Sequence, residues 1–294
     1  MYSVNKELII RSSSEAVDFA LLKDGKLIEL HKEQEASNFQ VGDIFIAKIR
    51  KPVAGLNAAF VNVGFEKDAF LHYHDLGPNL ASQLKFIKLV SAGKIKDFSL
   101  KNFQFEKEID KDGTVASVLS ANQSILVQVV KEPISTKGPR ISSELSLAGR
   151  YIVLVPFSDR VSVSQKIEEK GEKDRLKKLV QAIKPKGFGV IVRTVAKGKN
   201  TAEIEKDLQN LLDRWTAMCK KLPTAHHPSK VLGELNRASS ILRDVFNDTF
   251  SGIHIDDEEL YNETKDYVQE IAPSKQSIVK FYQSKDIPIF EKYN

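Results

Sequence analysis

The sequence predicts a multidomain α/β fold that contains a small β-barrel. Short alternating strands open the chain, as "ELIIRS", "AVDFALL" and "LIELHKE", and a second, closely spaced strand set follows from about Gln40. Beyond residue 150 strands and amphipathic helices take turns, as in αβ units. A length of 294 residues gives room for two or three domains with cores of their own.

The first strands are joined by "KDGK", where Asp24-Gly25 is a strong hairpin signal. The second set reads "VGDIFIAKIR", "AAFVNVG", "DAFLHY" and "ILVQVV", short strands divided by Gly and Pro turns, and this spacing suggests a barrel. Between them, residues 76–113 show no settled period and read as an insertion or long loop. After "YIVLVPF" (151–157), residues 165–185 form a surface helix with Leu176, Leu179, Val180 and Ile183 as its apolar positions. A strand "GVIVRT" (189–194) follows. The clearest helix spans 201–222, with Ile204, Leu208, Leu211, Leu212, Trp215 and Met218 on one face. Asn200 caps it, and Glu203 stands where a capping box needs an acid. "TAHHPSK" (224–230) reads as a linker, "NRASSILRDVFN" as a helix, "GIHID" as a strand and "DEELYNETKDYVQEIA" as a helix. The last stretch, "SIVKFYQSKDIPIFEKYN", reads as extended and hints at a truncation.

Composition narrows the class. Hydrophobic residues at 41% and charged residues at 28% suit a globular chain rather than a disordered or membrane protein. No apolar run approaches the roughly 20 residues that span a bilayer, and the N-terminus lacks the apolar region of a signal peptide, so the expected location is the cytoplasm with no membrane partner. Cys219 is the single cysteine; it permits no internal disulfide or Cys-cluster zinc site and reads as a small apolar filler on a helix. Lysine and arginine number 44 against 39 acids, a net +5 that favours polyanions weakly. Basic residues gather in "STKGPR" (135–140) and "VRTVAKGKN" (192–200), both loop-like.

The stretch "NAAFVNVGFEKDAFLH" (57–72) pairs Phe60 and Phe70 on two strands with Lys67 in the turn. Two readings stand: the rings are core, or they form a platform on which bases stack while lysines meet phosphates. Gly55 and Gly64 read as turn or bulge positions. Arg193 and Thr194 end a strand ahead of a helix, where a guanidinium fork and a hydroxyl can meet a phosphate, or where an arginine is simply solvated. His72 and His74, and the pair His226 and His227, lack the companions that a zinc site of three or four ligands requires. Asp256, Asp257, Glu258 and Glu259 fall where a helix begins, and negative charge is favourable there without any catalysis. No P-loop, nucleophile elbow or dinucleotide glycine motif occurs.

The run "GDIFIAKIRKPVAGLNAAFVNVGFEKDAFLH" resembles the OB-fold RNA-binding module, of the ribosomal S-one type, in the ribonuclease E/G family of bacterial endoribonucleases. The likeness continues through "ILVQVVKEPISTKGPRISSELSLAGRYIVLVP", "GFGVIVRTVAKGKNTAEIEKDLQNLLDRW" and "IVKFYQSKDIPIFEKY", so it covers nearly the whole chain. The resemblance implies an RNase H-like scaffold split between residues 1–38 and 230–294, an OB domain over 39–142 that includes the 76–113 insertion, and an α+β 5′-sensor domain over 143–229. It implies that Phe60, Phe70 and Lys137 contact RNA, and Lys67, by its place in the turn between the strands, is expected to join them. Arg193 and Thr194, with backbone near Gly149 and Val153, would hold a 5′-monophosphate. One departure is Ser164-Gln165-Lys166, where relatives tend to carry a basic pair after a serine, and this puts the contact to the terminal nucleotide in doubt.

For the parent protein the resemblance implies hydrolytic, endonucleolytic cleavage of single-stranded RNA, preferably 5′-monophosphorylated, in RNA decay and in rRNA and tRNA maturation, by a homo-oligomer. The family's nuclease domain, where two aspartates hold Mg²⁺, and its cysteine pair for an intersubunit Zn²⁺ lie beyond the matching segment. This chain is therefore expected to be the RNA-recognising front half, with no catalytic residue, metal or cofactor of its own and no activity alone. The alternative is a complete, non-catalytic single-stranded RNA-binding or chaperone protein built from the same modules.

Overall fold

The computed structural model describes residues 5–13, 16–34, 39–135, 137–283 and 286–293. The chain divides into two compact units, residues 1–38 with 235–294 and residues 39–234.

The first unit is built on a mixed sheet. Strands β1 (Lys6–Ser12), β2 (Ala16–Lys23) and β3 (Lys26–Gln34) run antiparallel in sequence, and β14 (Phe250–Ile255) and β15 (Val279–Phe281) extend the sheet in parallel from β1, giving the order β15-β14-β1-β2-β3. Asp24 and Gly25 have φ of 50° and 74°, the positive values that a two-residue hairpin turn matching strand twist demands. On one face Leu8, Ile10, Phe19 and Leu21 pack with Leu242 of α5 (Arg237–Val245) and Val268 of α6 (Glu258–Ile271). On the other face Ile9, Ala20 and Leu22 cluster with Ile289 of α7 (Ile289–Lys292). The C-terminal stretch is thus not one extended segment: after the short β15 comes a helical turn, with Pro288 just ahead of it, where a fixed φ suits helix entry.

The second unit begins with the barrel. Strands β4 (Ile44–Val53), β5 (Ala58–Asn62), β6 (Ala69–His72), β7 (Ser124–Lys131) and β8 (Arg140–Ser142) close in the order β4-β5-β6-β8-β7, with β7 returning to pair β4. Ala47, Ile49, Val61, Leu71, Val127 and Ile141 fill its interior. A sixth strand, β13 (Ser229–Leu232), adds antiparallel to β4, so Ser229 and Lys230 belong to a strand and not to the linker that the sequence suggests. The reason is Val231, an apolar residue at 1% exposure that the His-His-Pro signal before it obscures.

Residues 76–113 are also more ordered than their sequence suggests. They hold α1 (Leu80–Ser91), whose Leu80, Phe86, Ile87 and Val90 are buried, and a short helix α2 (Val115–Val118) follows. The helical period is concealed because Leu84 and Leu89 on the other sides are half-buried too, so no polar face appears.

A four-stranded sheet, β11-β12-β10-β9, completes the unit, from β9 (Leu147–Ala148), β10 (Ile152–Pro156), β11 (Val161–Val163) and β12 (Phe188–Val192). It packs with α3 (Lys170–Ile183) and α4 (Thr201–Lys221). Trp215 of α4 lies at the centre of this core, its ring 5.7 Å from Phe86 of α1, 5.7 Å from Phe157 and 5.9 Å from Phe188, while its Nε1 donates to the Phe98 carbonyl at 2.9 Å. The segment 76–113 is therefore part of the core and not a free loop. The capping box closes as the sequence predicts: Glu203 N donates to Asn200 Oδ1 at 2.9 Å and Asn200 N to Glu203 Oε2 at 3.1 Å. Cys219 is buried on α4, and burial pushes its thiol well above the usual range.

Candidate nucleic-acid interface

Strand alternation decides where the two phenylalanines point. On β5, Ala59 and Val61 are buried within the barrel and Phe60 between them is only half-buried. On β6, Ala69 and Leu71 are buried and Phe70 is half-buried. Phe60 and Phe70 are register partners across the two strands, their centroids 6.1 Å apart in an edge-on arrangement. They belong to the outer face, so the core reading of this stretch does not hold.

Around them lies a groove of about 690 Å³, also lined by Lys67, Lys131, Ile134, Lys137 and Arg140. The loop after β7 reaches it through a close approach: a Cβ on Gly138 would lie 2.4 Å from the Asp68 carbonyl oxygen and 2.8 Å from that of Lys67. Only glycine fits there, and Lys137 is thereby held beside the turn that carries Lys67. Lys137 N donates to the Ile134 carbonyl at 3.0 Å, and Phe70 N to the Pro139 carbonyl at 3.1 Å, which ties the loop to β6. Of the cations, Arg140 is forked onto Asp75 through Nε and Nη2 at 3.0 and 2.9 Å, which raises the affinity of its guanidinium for its proton. Lys67 stands 4.0 Å from Glu66, and Asp68 faces Arg50 at 3.4 Å. Lys131 and Lys137 form no ion pair among the described residues. The groove thus offers aromatic surface, an exposed Ile134 and solvated positive charge.

The second candidate site lies on the β9–β12 sheet. Arg193 follows β12 and Thr194 opens a turn of 3₁₀ helix ahead of α4. Arg193 Nη1 donates to the Gly149 carbonyl at 2.7 Å and its backbone N to the Tyr151 carbonyl at 2.8 Å. Thr194 Oγ1 is 3.1 Å from Ser164 Oγ. Gly149 is fixed from behind by Asp207 of α4, whose carboxylate accepts the backbone N–H of Arg150 at 3.0 Å, Tyr151 at 2.7 Å and Ile152 at 3.0 Å. A Cβ on Gly149 would meet that carboxylate at 2.6 Å, so any larger residue would push Asp207 from the backbone N–H groups that hold it. Burial pushes the Asp207 carboxyl upward, against the pull of these N–H groups and of Arg193. The loop after Thr194 is anchored by Glu172 of α3, which accepts Gly198 N at 2.8 Å and the Arg175 fork at 2.7 and 2.8 Å; these donors, the Arg175 side chain first, lower its carboxyl to about 2. Arg193, Thr194 and Gly149 therefore converge. Val153 does so less directly, half-buried on β10 opposite Ile191, and Gln165 is exposed one residue beyond Ser164.

Sequence reasoning missed Lys131 and Ile134 in the groove and Asp207 behind the loop. The exposed end of β7 in "VVKE" signals the first; Asp207 has no signal, being one acid among many on an amphipathic helix. Of the histidines, His72 Nδ1 accepts His74 N at 3.2 Å at the start of a short 3₁₀ turn. Asp257 caps α6 by accepting Leu260 N at 2.9 Å, and Asp256 accepts Ser12 N at 2.7 Å. Among the described residues no three His, Cys, Asp or Glu side chains are placed together to hold a metal ion. Among them, too, no helix is long and apolar enough to cross a membrane.

The Ribonuclease E/G family model matches residues 146–294. Ribonuclease G of Escherichia coli strain K12 is 30% identical over 288 residues, 98% of this chain and 55% of the relative. Ribonuclease G of Haemophilus influenzae is 30% identical over 287 residues, covering 98% and 54%. Ribonuclease E of a Nostoc species is 32% identical over 231 residues, covering 78% and 30%. The chain spans about half the length of the Ribonuclease G relatives it matches. On the family match and a likeness that runs through nearly all its residues, the chain belongs to the ribonuclease E/G family.

Proposed function

We propose that this chain is the RNA-recognising front half of a bacterial endoribonuclease: it grips single-stranded RNA in the barrel groove and reads a 5′-monophosphate at Arg193 and Thr194. The observation that carries the grip is the outward pair Phe60 and Phe70 beside Lys67, Lys131 and Lys137. Bases present π-faces to such rings whatever their sequence, and lysines neutralise the backbone alongside.

The 5′-end reading is supported by the convergence of Arg193, Thr194 and the Gly149 carbonyl. A guanidinium and a hydroxyl are donors suited to phosphate oxygens. Val153 and Ile191 supply an apolar shelf on the same sheet, and the neutral Gln165 leaves discrimination to the phosphate itself. In this reading residues 143–229 are the sensor, and the mixed sheet of the first unit with its flanking helices serves as the RNase H-like scaffold. Endonucleolytic cutting in RNA decay and in rRNA and tRNA maturation, the Mg²⁺ that would activate water for it, the structural Zn²⁺ and homo-oligomerisation belong to the parent protein. In this reading no step of that chemistry falls to residues of this chain.

The test is photo-crosslinking. A uridine-rich RNA bound to the chain is irradiated and the attached peptides are mapped. Adducts on Phe60 or Phe70 are expected; adducts confined to other parts of the chain would contradict the grip.

A further inference from the structure

Within segment 76–113 lies a second basic groove that the proposed RNA grip does not use. It is a cavity of about 380 Å³ lined among others by Lys85, Lys94, Ile95, Lys96, Asn102 and Phe103. Residues 85–104 carry five lysines and one acid, a concentration of positive charge in a chain whose total is only +5. The elements explain how they meet. Lys85 and Lys88 share a face of α1, three residues apart. The chain then turns through Gly93, at a φ of 68°, and comes back with Lys94 and Lys96 on the cavity wall.

The single acid, Asp97, accepts Ser99 N and Ser99 Oγ, both at 2.9 Å, and these bonds, with a smaller contribution from the charge of Lys101, hold its carboxyl low. Lys85 is engaged by Glu106 at 2.6 Å and lies 5.7 Å over the Phe103 ring. By contrast Lys88, Lys94, Lys96 and Lys101 form no ion pair among the described residues and stand at the surface. Lys94 and Lys96 stand on the cavity wall, Lys88 and Lys101 are exposed on the adjoining stretches of chain, and solvated lysines gathered in one segment are the chemistry that neutralises a phosphate backbone.

We infer that this groove and the surface next to it are a second RNA contact, in which Lys94 and Lys96 on the groove wall and the exposed Lys88 and Lys101 of the same segment bind backbone phosphates of a strand that also occupies the barrel. The inference rests on the reading that the chain binds RNA, and it extends that reading to residues outside both proposed sites. The segment is tied to the Trp215 core through its Phe98 carbonyl and its Phe103 ring.

The experiment measures equilibrium binding of a long unstructured RNA across a salt series, for the parent chain, for the variant with all four lysines changed to alanine, and for the variant with all four changed to arginine. The alanine variant is expected to bind several-fold more weakly, with the slope of log K against log salt reduced by roughly 0.7 for each phosphate that is no longer neutralised. The arginine variant is expected to keep the parent's slope, and a short oligonucleotide that fills only the barrel is expected to bind all three alike. Equal affinity and slope for parent and alanine variant would overturn the second site while leaving the barrel grip intact. A parent that binds no RNA would overturn both. Unchanged RNA binding together with abolished attachment to vesicles of anionic phospholipid would assign the lysines to a lipid surface instead.

Discussion

Gly138 lies so close to Asp68 that a Cβ on it would approach the Asp68 carbonyl oxygen to 2.4 Å. Two loops far apart in sequence are thereby pressed together, and Lys67 and Lys137 reach the same groove. Replacing Gly138 with alanine must move backbone, not a flexible side chain. The expected outcome is weaker RNA binding with a lowered melting temperature, measured by anisotropy and thermal unfolding. Parent-like affinity would show that this close approach does not shape the groove.

Arg193→Ala is expected to remove a preference for 5′-monophosphorylated over 5′-hydroxyl RNA. Charge-assisted hydrogen bonds are worth roughly 1.5–3 kcal/mol each, so their removal corresponds to about tenfold or more in affinity. Because Arg193 also donates to the Gly149 carbonyl, thermal unfolding must accompany the measurement. Arg193→Lys keeps the charge without the fork and should recover only part of the preference. Equal affinity of the parent for both RNA ends would refute the sensor assignment.

The purified chain is expected not to cleave RNA when Mg²⁺ is supplied. Asp257 acts as a helix cap, so Asp257→Ala should cost about 1 kcal/mol of stability and leave RNA binding unchanged. Reproducible cleavage that disappears on changing Asp256 and Asp257 would reverse this assignment.

Glu172 gives a prediction in pH. Its folded carboxyl is lowered to about 2, chiefly by Arg175, below the unfolded value of about 4.3. The stability it contributes is present above the unfolded value and is lost as pH falls toward the folded one. The melting-temperature difference between the parent and Glu172→Gln should therefore be largest near neutrality and shrink below about pH 4. A difference constant with pH would mean that the carboxylate is not what anchors the loop after Thr194.

Most of the fold is legible in the sequence where one pattern dominates. The hairpin at Asp24-Gly25, the Asn200–Glu203 capping box and the Trp215 face of α4 all follow from local rules. Two elements are not, for physical reasons. The helix α1 is half or fully buried on nearly all sides and so lacks a stripe, and β13 is fixed by Val231 meeting a core that only the folded chain assembles. The sites divide in the same way. Phe60 and Phe70 stand out by type and spacing, yet pattern alone leaves them between core and surface, and the choice is made by Ala59, Val61, Ala69 and Leu71 taking the inner positions. Asp207 acts through three backbone N–H groups, a role with no sequence signature.

The most direct test of the account is the affinity of the parent, Phe60→Ala, Phe70→Ala and the double variant for one unstructured single-stranded RNA at fixed salt, with melting temperatures measured alongside. Each ring lies outside the barrel interior, so the variants should fold as the parent does, and each should lose roughly 1–3 kcal/mol of binding by removal of a stacked base. Variants that fold normally and bind RNA as tightly as the parent would contradict the central claim that these two phenylalanines are the platform on which the chain grips its RNA.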